Sequence, residues 1–187
     1  QQLNAVPELP ARDVYGGWGE GPLLVATGFF RAEKFMDHWW LVTPEGTLFF
    51  STGIDGVRPQ APTYTQGREA MFTWLPQADD PLAAYRAADT IDFHLANLHR
   101  KYGADWRPVW RETTLKRLRS WGFNTIANWS DPSVYASGIP YVTTTHYSSP
   151  GAWIKAGSSG MGDPFDPRWE EAVRAALERT IGPVSGD

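Results

Sequence analysis

The hydrophobic positions change rhythm along the chain. Residues 27–35 and 38–43 read as two strands joined by a turn at Met36–Asp37. "TPEG" at Thr43–Gly46 is a turn signal, with Pro second and Gly fourth. Leu48–Ser51 then runs on into "TGID", so a small antiparallel meander delivers a further strand. From Arg58 to Asp80 the pattern is irregular, with Pro59, Pro62, Gly67 and Pro76. A connection of that length is a functional or a disordered loop. Helical spacing follows over Pro81–His99, with a break near Ala88, and again in "DWRPVWRETTLKRLRSWG". In the second of these, Val109, Leu115, Leu118 and Trp121 suit one face, and Gly122 reads as a C-cap. "FNTIA" at 123–127 is a short strand. "DPSVYASG" has Asp131 as N-cap and Pro132 at the first helical position, and "PYVTTTHY" is a β-branched strand. Gly151–Pro164 reads as a Gly/Ser-rich loop. "DPRWEEAVRAALERTIG" is an amphipathic helix, with Asp166 as cap, Pro167 at N1, and Glu170 and Glu171 near the positive end of the dipole. Residues 1–22, Pro- and Gly-rich without periodicity, read as a linker or lead-in.

After the meander the order is strand, helix, strand, helix, strand, helix, which argues for an α/β fold with a parallel sheet of βα units. In such folds, function collects at the C-terminal ends of the strands. Three ends are readable. The first carries Asp55 and Arg58. The second, "ANWSD", carries Asn128, Trp129, Ser130 and Asp131. The third, "THYSSPGAW", carries His146, Tyr147, Ser148 and Trp153. If the strands share one sheet, all three ends border one site. Each residue also has a structural reading. Asp131 before proline is first of all a helix cap. Asn128 bonds either loop backbone or a sugar hydroxyl, and His146 either lines a site or makes a structural hydrogen bond. Asp55 either holds its loop or meets a substrate. Arg58 and Arg68 read as solvated loop residues as readily as ligand contacts, and Glu170, Glu171 and Arg174 as a solvated face.

Composition narrows the picture. The 187 residues suffice for one domain with a core, and 42% are apolar. The net charge is -4, with no Lys/Arg cluster of the kind a nucleic-acid binder shows. No apolar run approaches the roughly 18 residues that span a bilayer. Cysteine is absent, so disulfide scaffolds and Cys-based metal sites are excluded. The chain opens on Gln1 without a signal peptide, as a mature, trimmed or excised form would. Ten Trp and 14% aromatic residues are high for a soluble domain. Flat rings with polar rims suit the C–H faces of a pyranose, although core packing claims about half of them. Trp129 and Trp153 divide evenly between those two roles. There is no phosphate loop and no G-x-S-x-G elbow. His94 and His99, five apart on a helix, are poorly placed as a metal pair. No cofactor is expected.

The segments "ATGFFRAEKFMDHWWLVTPEGTLFFSTGIDGV", "LKRLRSWGFNTIANWSD" and "DPFDPRWEEAV" resemble family 50 glycoside hydrolases, the β-agarase family, and the resemblance extends over residues 12–187. It implies a (β/α)8 TIM barrel of the retaining clan with two catalytic glutamates, acting on agarose-type galactans. The family often carries a β-sandwich carbohydrate-binding domain ahead of the barrel. On that reading, residues 1–22 are the linker and residues 23–187 the N-terminal portion of the catalytic domain, holding three βα units behind the meander. "LFFSTGID", "FNTIANWSD" and "YVTTTHY" look like strands one to three. The family's acid/base glutamate follows strand four in an Asn-Glu pair, and its nucleophile follows a later strand. This chain stops at Asp187, before strand four. A whole barrel needs eight units and about 250 residues, and retaining hydrolysis needs two carboxyls about 5–5.5 Å apart. No catalytic residue is therefore expected here. Glu33, Glu45, Glu69 and Glu112 all lie away from the predicted strand ends. The expected partners are an oligo- or polysaccharide and the C-terminal remainder of the barrel, as a second chain or a missing segment. Neither nucleic acid nor membrane is expected, and the location is secreted or periplasmic. An isolated three-unit piece would expose open sheet edges and would not be a stable monomer. The alternatives are a clan-related glycosidase on another galactan or β-galactoside, a non-catalytic carbohydrate-binding fragment, and a flavodoxin-type domain. The second would be all-β. The third would place a phosphate loop after the first strand, which "TGIDGVRP" does not resemble.

Overall fold

The run from Arg31 to Val42 folds into a hairpin. Strands β1 (Arg31–Phe35) and β2 (His38–Val42) pair antiparallel, with Phe35 opposite His38. Met36 and Asp37 adopt φ of 46° and 64°, the left-handed pair whose twist matches the flanking strands. Strand β3 (Leu48–Phe49) adds to β2. The intervening turn closes through Gly46 N–H to the Thr43 carbonyl at 3.0 Å and Thr43 N–H to the Thr47 carbonyl at 2.9 Å. Gly46 sits at φ 94°, and a Cβ there would overlap the Leu24 carbonyl. Val42, Leu48 and Phe49 are buried.

The computed structural model describes residues 11–147, 153–156 and 159–186. It divides into two units, Gln1–Tyr141 and Val142–Asp187, each described by itself. Residues 11–22 keep the irregular backbone of a lead-in, yet they are fastened to the meander. Asp13 Oδ2 accepts from Thr43 Oγ1 at 2.9 Å and from Thr47 Oγ1, and its Oδ1 accepts from the Tyr15 and Gly17 amides at 2.9 and 2.7 Å. Trp18 N–H donates to the Leu48 carbonyl at 2.8 Å.

Strand β4 (Gly53–Ile54) follows the meander directly. The long connection after it is ordered: strands β5 (Thr63–Tyr64) and β6 (Thr90–Ile91) pair antiparallel across it. The helix expected over Pro81–His99, with its break near Ala88, is two elements. A 3-10 turn covers Pro81–Tyr85, and helix α1 spans Phe93–Tyr102. Asp92 enforces the division by capping α1: its Oδ1 accepts from Leu95 N–H at 2.9 Å, while its Oδ2 accepts from Ala61 N–H at 2.7 Å. The connection is clamped along α1. His94 Nδ1 donates to the Pro59 carbonyl at 2.7 Å, Tyr85 OH meets His99 Nδ1 at 3.0 Å, and the Arg100 guanidinium lies 3.9 Å above the Trp74 ring.

Helix α2 (Trp106–Ser120) buries Trp106, Trp110, Leu115 and Leu118. The expected face differs here, since Val109 and Trp121 are 38% and 62% exposed. The wider indoles at 106 and 110 take the stripe that faces the core, and Trp121 lies beyond the last turn. That turn ends as the glycine predicts: Gly122 at φ 80° donates to Arg119 O and Phe123 N–H to Leu118 O, both at 3.0 Å.

Strand β7 (Thr125–Ile126) then pairs parallel with β4, Gly53 opposite Thr125 and Ile54 opposite Ile126. The approach is close enough that a Cβ on Gly53 would lie 2.7 Å from the Thr125 carbonyl oxygen. A parallel bridge from Ile126 to Tyr141 supplies the next rung. The strand expected over Pro140–Tyr147 is reduced to that bridge: residues 142–147 make no ladder among the described residues. β-branched composition favours a strand only where a partner edge is present. Asn124 sits at the start of β7, buried. Its Oδ1 accepts from Thr52 N–H at 2.8 Å, and its Nδ2 donates to the Gly16 and Phe50 carbonyls at 3.1 and 3.0 Å. Above these strands Val57, Leu98, Trp106, Trp110, Leu115, Leu118, Ile126, Val134 and Ile139 form one apolar cluster.

In the second unit the Gly/Ser-rich stretch contains a hairpin where a loop was expected. Strands β8 (Trp153–Ala156) and β9 (Ser159–Gly162) pair antiparallel. A backbone ladder needs no apolar side chains, so composition hid it. Helix α3 (Pro167–Ile181) matches its pattern, with Asp166 Oδ1 accepting from Arg168 N–H at 3.0 Å.

Candidate functional site

Two of the three predicted strand ends meet in the first unit. The loops leaving β4 and β7 are joined along their length. Asp55 Oδ1 accepts from Asn128 N–H at 2.8 Å, and Gly56 N–H donates to the Asn128 carbonyl at 2.7 Å. One step further, Ser130 Oγ accepts from Val57 N–H at 3.1 Å and donates to the Ala127 carbonyl at 2.7 Å, while Asp131 N–H donates to the Val57 carbonyl at 3.0 Å. The structure therefore brings Asp55, Asn128, Trp129, Ser130 and Asp131 together. Two of them have their polar atoms turned to the fold. Ser130 is buried and spends its hydroxyl on backbone groups. Asp131 Oδ1 accepts from Ser133 N–H at 2.9 Å, as the cap of a 3-10 turn over Pro132–Val134. Trp129 is different: it is 58% exposed and sits at φ 58°.

Arg58 is exposed and follows the seam residue Val57 along the β4 loop. It lines a groove of about 430 Å³ between α1 and α2, with His94, Lys101, Tyr102, Trp110 and Trp121. In the second unit His146 is exposed, and Tyr147 is half-buried, its OH accepting from Trp169 Nε1 at 3.2 Å with the rings edge to face. Trp153 opens β8, but its side chain lies outside the described residues, as does Ser148. The third strand end thus falls in a different unit from the other two.

Tyr135 is a residue that the pattern did not single out. Its OH donates to the Ser130 carbonyl at 3.1 Å, and its ring stacks on Tyr141 at 4.4 Å. Burial, and then the Asp131 carboxylate, push this hydroxyl up from its ordinary value, so it stays a donor. The stretch "SVYAS" gives no sign of this, because both partners depend on the loop's path.

The carboxylates near the seam have the chemistry of acceptors. Asp55 and Asp131 each accept from a backbone amide, as a side chain that positions a loop does. Glu33 is paired with Arg31 and Glu112 with Lys116, both at 2.7 Å, and neither is near the seam in sequence or in pairing. Among the described residues, no group of three His, Asp or Glu side chains could hold a metal ion, and no helix is long and apolar enough to cross a membrane.

Meander, parallel βα pairing and joined loops at the strand ends define a mixed α/β segment. No protein-family model matches the chain. Individual proteins do. β-agarase B of Vibrio sp. (strain JT0107) is 35% identical over 219 residues, covering 97% of this chain and 23% of that protein. The crystal structure of the agarase AgWH50C superposes with a TM-score of 0.86 at 33% identity, over 98% of this chain and 31% of that one. An exo-β-agarase structure superposes with a TM-score of 0.78 at 28% identity, over 98% of this chain and 33% of its own. The chain is homologous to these agarases. It spans about a quarter of the length of β-agarase B and about a third of the solved structures.

Proposed function

We propose that this chain is the N-terminal portion of the catalytic domain of a retaining, β-agarase-like glycoside hydrolase. Residues 1–22 lead into it, and residues 23–187 supply the first three βα units of a (β/α)8 barrel. The observation that carries the reading is the match to AgWH50C, 33% identical with 98% of this chain superposed. Loops at the C-terminal ends of β4 and β7 fit it, since barrel enzymes assemble their clefts from such loops. In the first unit, Asn128 and Trp129 hold sugar rings and hydroxyls of an agarose-type galactan, with Arg58 at the margin. The two glutamates that cleave the bond come from the remainder of the barrel, which is the partner of this chain. A polymeric substrate goes with a secreted or periplasmic location.

Calorimetric titration of the 187-residue chain with agarose-derived, carrageenan-derived and galacto-oligosaccharides tests the reading. Binding confined to the agarose series, with no sugar released, is the expected result. Binding to the other two series alone would move the substrate to another galactan or β-galactoside. Binding to none of them, or hydrolysis by this chain unaided, would sink the proposal.

A further inference from the structure

From Arg111 to Ser120, among the described residues, helix α2 makes its side-chain hydrogen bonds to other segments from one flank. Arg111 Nε and Nη2 donate to the Ser133 and Ala136 carbonyls at 2.6 and 2.8 Å, and Arg119 Nη2 donates to the Ser137 carbonyl at 2.8 Å. These bonds hold the helix to the segment that follows β7. Thr113, Arg117 and Trp121, at four-residue steps, run along the opposite flank. They line the groove of about 430 Å³, together with Lys101 of α1 and with Ile54 and Val57 from β4 and its loop. Trp121 is 62% exposed there. Since β7 and the segment after it occupy the other side, the groove lies beside the free edge of β4, which among the described residues is hydrogen-bonded only to β7.

The groove has an apolar floor and a cationic rim. Val57, Leu98, Trp110 and Leu118 are its buried residues. Arg58, Lys101 and Arg117 are exposed around them, and no Asp or Glu lines the groove, although the chain as a whole carries a net charge of -4. Among the described residues, none of these three cations makes an ion pair. Lys101 Nζ lies 5.0 Å from the Tyr102 ring. Water satisfies the cations while the groove is open. Whatever covers the groove removes that water, and a cation buried without a partner is strongly unfavourable. A stable occupant must therefore bring carboxylates to Lys101 and Arg117.

A strand added parallel to β4 leads into or out of a helix packed on the outer face of the sheet, and the groove is where that helix would lie. We infer that the groove and the β4 edge receive a strand-and-helix segment from the remainder of the barrel, and that the groove-facing side of its helix is acidic, with carboxylates on Lys101 and Arg117. Since this chain covers 31% of AgWH50C, about two thirds of that chain lie outside the match, enough to supply such a segment. The inference rests on the barrel reading above and adds the face on which the remainder seats and the charges that select it. A neutral or basic helix is rejected there, because it leaves the cations unpaired.

For the test, the full 187-residue chain is co-expressed with the part of AgWH50C that follows the matched stretch. The complex is treated with a carbodiimide, which couples an amine to a carboxylate in contact with it, and the coupled residues are read by mass spectrometry. Dissociation constants come from dilution of the complexes made by the unsubstituted chain, Lys101→Glu, Arg117→Glu and, as a control with the same change of charge, Lys34→Glu. Lys101 is expected to couple to an Asp or Glu of the AgWH50C part. Each groove variant is expected to bind about tenfold more weakly, and Lys34→Glu as tightly as the unsubstituted chain. The melting temperatures of the variants alone should be equal, because Lys101 and Arg117 are exposed. Where a glutamate lowers the melt, Lys101→Gln or Arg117→Gln takes its place in the comparison. A complex in which Lys101 stays uncoupled and the groove variants bind normally would overturn the inference and leave the barrel reading standing. Coupling of Lys101 to a second copy, with the AgWH50C part present, would make a copy the occupant and overturn it too. If the unsubstituted chain forms no complex, the barrel reading itself fails.

Discussion

Asp13 gives up part of its hydration and receives four donors, from Thr43, Thr47, Tyr15 and Gly17. Burial by itself would raise its pKa; the hydrogen bonds from Thr47, Gly17, Thr43 and Tyr15 together outweigh it and hold the carboxyl below 3.8. A carboxyl depressed on folding contributes stability above its unfolded value, and that contribution is lost as pH falls through the folded one. Asp13→Ala should therefore cost about 1–3 kcal/mol at pH 7, for the stranded donors. The gap to the unsubstituted chain should narrow as pH falls below 3.8, as urea melts at several pH values would show. A gap that stays constant down to low pH would exclude the carboxylate as its source. At this scale, what the sequence disclosed was local. Asp131 and Asp166 are legible as caps because each donor lies two residues on. Asp55 is not, because its donor lies 73 residues away, and at Asp13 the Tyr15 and Gly17 amides are local while the Thr43 hydroxyl lies 30 residues on.

Elements whose bonds are internal followed from the pattern. The Met36–Asp37 turn, the glycine end of α2 and the whole of α3 stand where periodicity puts them. Elements that depend on a distant edge did not: the run after Tyr141 has strand composition without a ladder, and the β8–β9 hairpin has a ladder without strand composition. Asp92 splits a helical pattern because it also holds Ala61, 31 residues earlier. The hairpin turn offers a check on the energetics of its own element. Asp37 at φ 64° pairs with Lys34 at 3.0 Å, but its side chain is 95% exposed, so the ion pair is worth little. Asp37→Gly should raise stability by up to about 1 kcal/mol, because glycine removes the left-handed penalty. Chemical denaturation measures this, and a loss of stability would mean that the Lys34 contact outweighs the backbone.

For the molecule as a whole, the resemblance read from ordered motifs is what the relatives support, with 97% of this chain aligned to 23% of β-agarase B. The surface of the chain is consistent with a need for further covering. Met36, Trp39 and Phe50 are 80%, 73% and 77% exposed, and among the described residues β4 is hydrogen-bonded into its sheet only through β7. Apolar surface and an unpaired strand edge both favour association. Sedimentation over a dilution series should show the average mass falling as the chain is diluted; a constant monomer mass would count against it.

The single amide of Asn124 links the Gly16 carbonyl, the Phe50 carbonyl and the Thr52 amide, closing loops of 108, 74 and 72 residues. Contacts so far apart in sequence must wait for chain closure, and they slow folding. During synthesis, residues 11–52 can build their hairpin but cannot lock onto the parallel strands until residue 124 has left the ribosome. The first third of the chain is thus made early and secured late, and its exposure to proteases and to other nascent chains is set by the rate of translation.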